Sequence, residues 1–160
     1  MVVTHEEGAS PGSYHPGIPF ELAAPEGFDD VTFDLVSIVP KSALFSMNGQ
    51  TGINAFYVKG DSGNERFDEK ATVQATTVYW IANLDFAKGT KLDQVYITVV
   101  IRSGEHIIGY SVLQVVTEKQ DTSRLYWIKE IDGQLYPKVD GNFQDVTQDY
   151  VDQQMKKAMK

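Results

Sequence analysis

Apolar positions recur with a period of two through most of this chain, and a helical period appears only near its C-terminal end. From Asp30 to Val39, Val31, Phe33 and Leu35 alternate with Thr32 and Asp34 before Ile38 and a stop at Pro40, which cannot donate to a ladder. This predicts a half-buried first strand. Lys41 to Met47 is apolar but short, and Asn48-Gly49 and Thr51-Gly52 mark a turn before a strand predicted over Ile53 to Lys59. Asp61 to Lys70 reads as a polar loop.

Thr72 to Leu84 predicts one long strand, with Val73, Ala75, Thr77, Tyr79 and Ile81 on one face and Val78, Trp80, Ala82 and Leu84 on the other. Apolar side chains on both faces of its later half imply a central strand, covered on both sides or turned by a bulge. Asn83 to Lys91 is the next loop. Val95 to Arg102 and Ile107 to Thr117 form a hairpin through Ser103-Gly104-Glu105. Glu118 to Ser123 is a polar connection, and Arg124 to Ile131 is another strand. Asp132-Gly133 then carries the strongest hairpin signal, because both residues tolerate positive φ, and Gln134 to Tyr136 is expected to pair back before Pro137.

A helix is predicted over residues 145–159, with Asp145 as its cap, Gln148 at the capping-box spacing and Val151, Met155, Ala158 and Met159 along one stripe. Asp149 and Asp152 precede Lys156, Lys157 and Lys160, in line with the helix dipole. The stripe and Tyr150 are expected to pack on the sheet, because tertiary contact supplies most helical stability; a partner is the other acceptor. About seven strands and one terminal helix imply a mainly β fold. The first expectation is an antiparallel, immunoglobulin-like β-sandwich, and the alternative is a calycin-like β-barrel. Residues 28–160 form a single β-domain in this reading. Residues 1–27, with Gly8, Pro11, Gly12, Pro16, Gly17, Pro19, Pro25 and Gly27, form a flexible Pro/Gly-rich leader.

Composition narrows the function classes. A chain of 160 residues supports one domain with a real core. A formal charge of -8 opposes polyanions, so nucleic acid is not an expected partner. No apolar run reaches the ~18 residues of a membrane-spanning helix, and Met1 to Phe20 lacks the layout of a signal peptide. The absence of cysteine removes disulfides, thiolate nucleophiles and Cys-based zinc sites. Such a leader is what trimming of a longer exported or anchored precursor leaves, so the expected setting is the cell envelope or outside it; an ordinary disordered terminus is the other reading, and a natural start at Met1 would place the chain in the cytoplasm. The run Leu135-Tyr136-Pro137-Lys138-Val139-Asp140-Gly141 resembles the endings of small exported domains of Gram-positive bacteria, which implies a bacterial cell-surface or secreted setting.

The candidate chemistry is sparse. His5 and His15 fall in the leader and His106 in a hairpin turn, so no triad assembles around a histidine base. Asp61, Asn64, Glu65, Asp68 and Glu69 offer oxygen ligands to calcium, but their spacing is not that of an EF-hand and a solvated loop is the simpler reading. Asp29-Asp30 reads as a strand start. Gly60-Asp61-Ser62-Gly63 matches neither a P-loop nor a nucleophile elbow. Tyr79, Trp80, Tyr96, Tyr110, Tyr126 and Trp127 are the candidate ligand-binding residues, because exposed rings stack on sugars or anchor a partner. Alternation splits Tyr79-Trp80 and Tyr126-Trp127 between opposite faces of a sheet. The chain therefore reads as a non-enzymatic binding or assembly domain without cofactor or metal, acting on a protein partner or on copies of itself. A carbohydrate or small-ligand binder using exposed aromatics is the alternative.

Overall fold

A computed structural model describes residues 2–3, 17–40, 44, 46–47, 50–51, 54–60, 63–82, 94–120 and 123–160. Its strands are β1 (Val2–Val3), β2 (Ile18–Glu21), β3 (Val31–Ile38), β4 (Ser46–Met47), β5 (Gln50–Thr51), β6 (Asn54–Gly60), β7 (Gly63–Asp68), β8 (Lys70–Val73), β9 (Thr77–Ala82), β10 (Tyr96–Ser103), β11 (His106–Gln120) and β12 (Ser123–Leu135). One helix, α1 (Gln148–Ala158), follows them. The first sheet has the order β1-β2-β9-β6-β7 and the second β12-β11-β10-β3-β8, with β4 and β5 paired separately. Every pairing is antiparallel. Neither sheet closes on itself, so the fold is a β-sandwich and the barrel alternative is set aside.

The alternation read from the sequence explains the core. Phe20, Phe56, Val78 and Trp80 from the first sheet meet Phe33, Leu35, Ile97, Val99 and Leu113 from the second. Phe20 and Phe56 pack edge to face, with centroids 6.4 Å apart. One polar group crosses this apolar layer. The Trp80 Nε1–H donates to Ser37 Oγ at 2.7 Å, and the Ser37 hydroxyl donates to Asn54 Oδ1 at 2.6 Å. Asn54 Nδ2 returns a longer bond to the Ser37 carbonyl at 3.4 Å. Beside this network the chain changes sheets through a single residue, Glu69, held at φ 63°. Its N–H donates to the Asn54 carbonyl and its carbonyl accepts from the Ser37 N–H.

The outward face of the second sheet is covered by α1, whose Val151 and Met155 are buried against Val100, Ile107, Tyr110 and Val112. The packed stripe is thus the one predicted, and the sheet of the same chain accepts it, but Tyr150, expected to pack with it, stands 48% exposed beside it. Arg102 fixes the start of the helix by donating through Nε to Asp34 and through a terminal nitrogen to Gln148 Oε1, both at 2.7 Å. Thr147 caps it, its hydroxyl accepting from the Tyr150 N–H at 3.2 Å. The cap therefore lies two residues beyond the expected Asp145.

Four further differences have physical causes. Part of the expected leader is core: β2 pairs with β9 and buries Ile18, Phe20 and Leu22, while residues 4–16 lie outside the described residues. Thr72 to Leu84 is two strands rather than one. Ala71 and Val73 face inward from the second sheet and Val78 and Trp80 from the first, so the two-faced pattern records a change of sheet between them. The expected loop from Asp61 to Lys70 holds β7, an edge strand of exposed Glu65, Arg66 and Asp68 whose Phe67 alone packs on the core. Charged side chains suit an edge, where they discourage further pairing. Finally, Asp132-Gly133 is no hairpin turn. β12 runs through it, with the ladder slipping by one residue so that Val112 faces Asp132 while Leu113 faces Glu130. Ile131 is the extra residue of a bulge. The Ser103-Gly104-Glu105 turn is present as read, with Ser103 opposite His106 and Gly104 at φ 57°. The expected loop over Asn83 to Lys91 lies outside the described residues.

Candidate functional site

The bulge at Ile131 decides what each face of the last part of β12 presents. Asp132, opposite Val112, and Gln134, opposite Tyr110, share the helix-covered side, whereas Glu130, Gly133 and Leu135, opposite Leu113, Ser111 and Gly109, share the side toward the first sheet. Two features result, one on each face.

On the helix side three tyrosines form a graded series from core to solvent. Tyr110 is 6% exposed and donates its phenol to Asp132 Oδ2 at 3.1 Å. Tyr136 is half-buried with its ring 6.4 Å from that of Tyr110, and 6.4 Å further lies Tyr150, 48% exposed in the first turn of α1. The Thr147 cap and the Arg102–Gln148 bond set that turn, so the exposed ring stands on fixed backbone. Leu135 and Val139, both exposed, flank Tyr136 in sequence.

Burial pushes the Tyr110 phenol up to about 12, and its hydrogen bond to the carboxylate of Asp132 adds to the rise. Burial also raises Tyr136, with Tyr150 contributing next. The folded protein therefore favours the neutral phenol. That contribution is fully present below the unfolded value of 10 and is lost as pH rises from there toward about 12. It amounts to about 2–3 kcal/mol for Tyr110. In urea unfolding between neutral pH and pH ~11, Tyr110→Phe is expected to show a shallower alkaline loss of stability than the parent. Equal slopes would mean that Tyr110 titrates alike in both states.

On the opposite face, a cleft of about 230 Å³ opens between the sheets, lined by Ala23, Pro25, Phe33, Val99, Ile101 and the tail of β12. Glu130 reaches into this region, its Oε1 accepting from Ser111 Oγ at 2.5 Å.

The six aromatic candidates part company. Trp80 is 3% exposed and bonded within the core, so its role is structural. Tyr79 takes the other face as alternation requires, where it is half-buried directly opposite Tyr57 on β6 and Pro19 on β2. Arg66 stands opposite Tyr57 and pairs with Asp68 at 2.8 Å. Tyr96 packs beside the α1 contact and Tyr110 lies under the tyrosine series. Tyr126 and Trp127 belong to β12, opposite Thr117 and Val116, but their side chains lie outside the described residues. His106 is exposed in its turn yet stacked on Phe143, with ring centroids 3.9 Å apart. Lys138 Nζ stands 4.7 Å from the Phe143 ring centre, a cation–π contact. That stack ties the segment after β12 to the β10–β11 turn.

Among the acidic candidates, Glu65, Asp68 and Glu69 are spread along an edge strand and a corner, while Asp61 lies outside the described residues. Among the described residues no group of three His, Asp or Glu side chains could hold a metal, and no helix is long and apolar enough to cross a membrane. The alternation did not single out Tyr136, Asp132 or Glu130. Their placement depends on the bulge, and the signal available for it was the Asp132-Gly133 pair itself. Comparison with protein-family models, with curated proteins and with solved structures finds no match to this chain.

Proposed function

We propose that this chain is a non-catalytic binding domain that docks another protein chain through the surface around Tyr136 and Tyr150, in a bacterial cell-surface or secreted setting. The observation that supports this most is the Tyr150 ring, 48% exposed on the first turn of α1 and 6.4 Å from the ring of Tyr136. Ile131, Leu135, Val139 and Tyr150 all lie in the segment from the bulge to the first turn of α1, and Ile38 is the other large apolar residue exposed among the described residues. Leu135 takes the opposite face of β12, so the reading rests on Tyr150, an exposed ring on a fixed turn beside Tyr136, and such a ring is a common anchor. Strand addition at β12 is disfavoured, because Lys129, Glu130, Asp132 and the bulge interrupt its free edge. The contact is therefore made by side chains.

Photo-crosslinking tests the surface. Benzoylphenylalanine at position 150 is expected to give one discrete adduct with a partner or with a second copy. The same group at Gln153, exposed on the same helix, is expected to give none. Equal crosslinking from both positions would overturn the assignment. Tyr150→Ser is expected to weaken the complex by about 30-fold, a ~2 kcal/mol anchor, while leaving the melting temperature nearly unchanged.

A carbohydrate-binding reading has its own support in the Tyr57–Tyr79 pair, two rings side by side on the outer face of the first sheet with Arg66 beside them. Binding on a glycan array that disappears in Tyr79→Ala is the outcome this reading requires, and a uniformly blank array removes it.

A further inference from the structure

The cleft between the sheets is created by small residues at inward positions. Ser111 on β11 and Gly133 on β12 line it and stand directly opposite each other, while the space at Gly109 is closed by the β12 backbone. A Cβ at Gly109 would lie 2.7 Å from the Gln134 carbonyl oxygen, and one at Gly133 would lie 2.5 Å from Glu130 Oε1. Gly133 thus leaves space for the Glu130 carboxylate to turn inward, where the Ser111 hydroxyl holds one of its oxygens. The apolar side of the cleft is formed by Phe33, Val99 and Ile101, and among the described residues no cationic side chain lines it. The carboxylate of Glu130, an exposed residue, is thus held by Ser111 at the edge of an apolar trough, with no positive partner among the described residues that line it.

We propose that this cleft receives a lysine side chain of the protein partner, its methylene stem along Phe33, Val99 and Ile101 and its ammonium on Glu130. The inference rests on the protein-binding reading above and names the partner's chemistry. At about 230 Å³ the cleft falls below the ~300–1,000 Å³ of ordinary small-molecule pockets, so a single side chain suits it better than a free ligand. Lysine suits it better than arginine. Ser111 already occupies one of the acceptor sites of Glu130, which constrains the planar approach of a guanidinium fork more than that of an ammonium, a point charge with no fixed plane. The long apolar stem of lysine also matches a trough with an apolar floor and a charged rim. A net charge of -8 steers basic partners toward the chain. The cleft and the tyrosine series lie on opposite faces of the same stretch of β12, so a partner that grips this edge reaches both.

The test uses the full chain in solution and needs no partner. N-acetyl-lysine methylamide is titrated while backbone amide resonances are followed by NMR, with the norleucine and arginine counterparts as controls. The lysine compound is expected to shift Gly109, Ser111 and Gly133 saturably, and each control to bind about tenfold more weakly. Glu130→Gln, which keeps the shape of the side chain, is expected to abolish the preference for lysine while the rest of the spectrum is unchanged. Absence of saturable shifts at those three amides overturns the proposal, as does norleucine binding equal to lysine or a preference that survives in Glu130→Gln. Failure here with the adduct at position 150 intact removes the lysine site alone. Retained lysine shifts without that adduct remove the tyrosine surface instead.

Discussion

Replacing Ser37 with alanine is expected to destabilise the protein by about 3 kcal/mol, because one hydroxyl serves two buried partners. The Trp80 indole N–H and the Asn54 carbonyl oxygen both depend on it, and both residues are buried. An orphaned buried polar group costs ~1–3 kcal/mol. A loss of this size corresponds to a fall in melting temperature of roughly 6–12 °C for a domain this long. Urea and thermal unfolding of Ser37→Ala measure it directly. Trp80→Phe in the Ser37→Ala background removes the orphaned donor, so the double mutant is expected to lose less than the sum of the two single losses. A Ser37→Ala loss below ~1 kcal/mol would mean that Asn54 turns to accept the indole proton itself.

The second large effect is expected at the helix. Met155→Ala truncates a buried side chain between α1 and the outward face of the second sheet, at a cost of about 2–4 kcal/mol. Met159, at the C-cap and only partly buried, is expected to cost less when truncated. The crosslink from position 150 separates stability from docking. The adduct is expected to persist in Met155→Ala at temperatures where the variant is folded, since Met155 faces the sheet and Tyr150 faces solvent. Loss of the adduct without loss of stability would place Met155 in the interface.

The legible parts of the fold are those where neighbouring residues alone decide the structure. The β10–β11 hairpin follows from its alternation and its glycine, and α1 follows from its stripe. The hidden parts depend on distant partners. β2 alternates Ile18 and Phe20 inward, continued by Leu22, but Pro16, Gly17 and Pro19 read as breakers, and it becomes a strand because β9 lies ready to pair with Ile18 to Glu21. β7 carries one inward apolar residue, which leaves no alternation to detect. The tyrosine series follows the same division. Tyr110 follows from its strand, but its contact with Tyr136 and its bond to Asp132 require a slipped register where the Asp132-Gly133 pair predicts a turn. Local chemistry marked the place where the chain departs from regularity, and only the pairing shows that it bulges instead of turning.

The order of strands in the two sheets has a kinetic consequence. β6–β7, β10–β11 and β11–β12 are neighbours in sequence, and each can form as a hairpin on a timescale of ~1–10 μs. The pairings that turn those hairpins into a sandwich, β2 with β9 and β3 with β10, join segments about 60 residues apart in sequence. Their loop-closure entropy is spent before any core contact repays it, so folding belongs in the millisecond-to-second range of non-local β topologies. Until β2 arrives, the β9 edge and the inward rings of Trp80 and Phe56 stay uncovered, and that interval is when the chain is most exposed to aggregation.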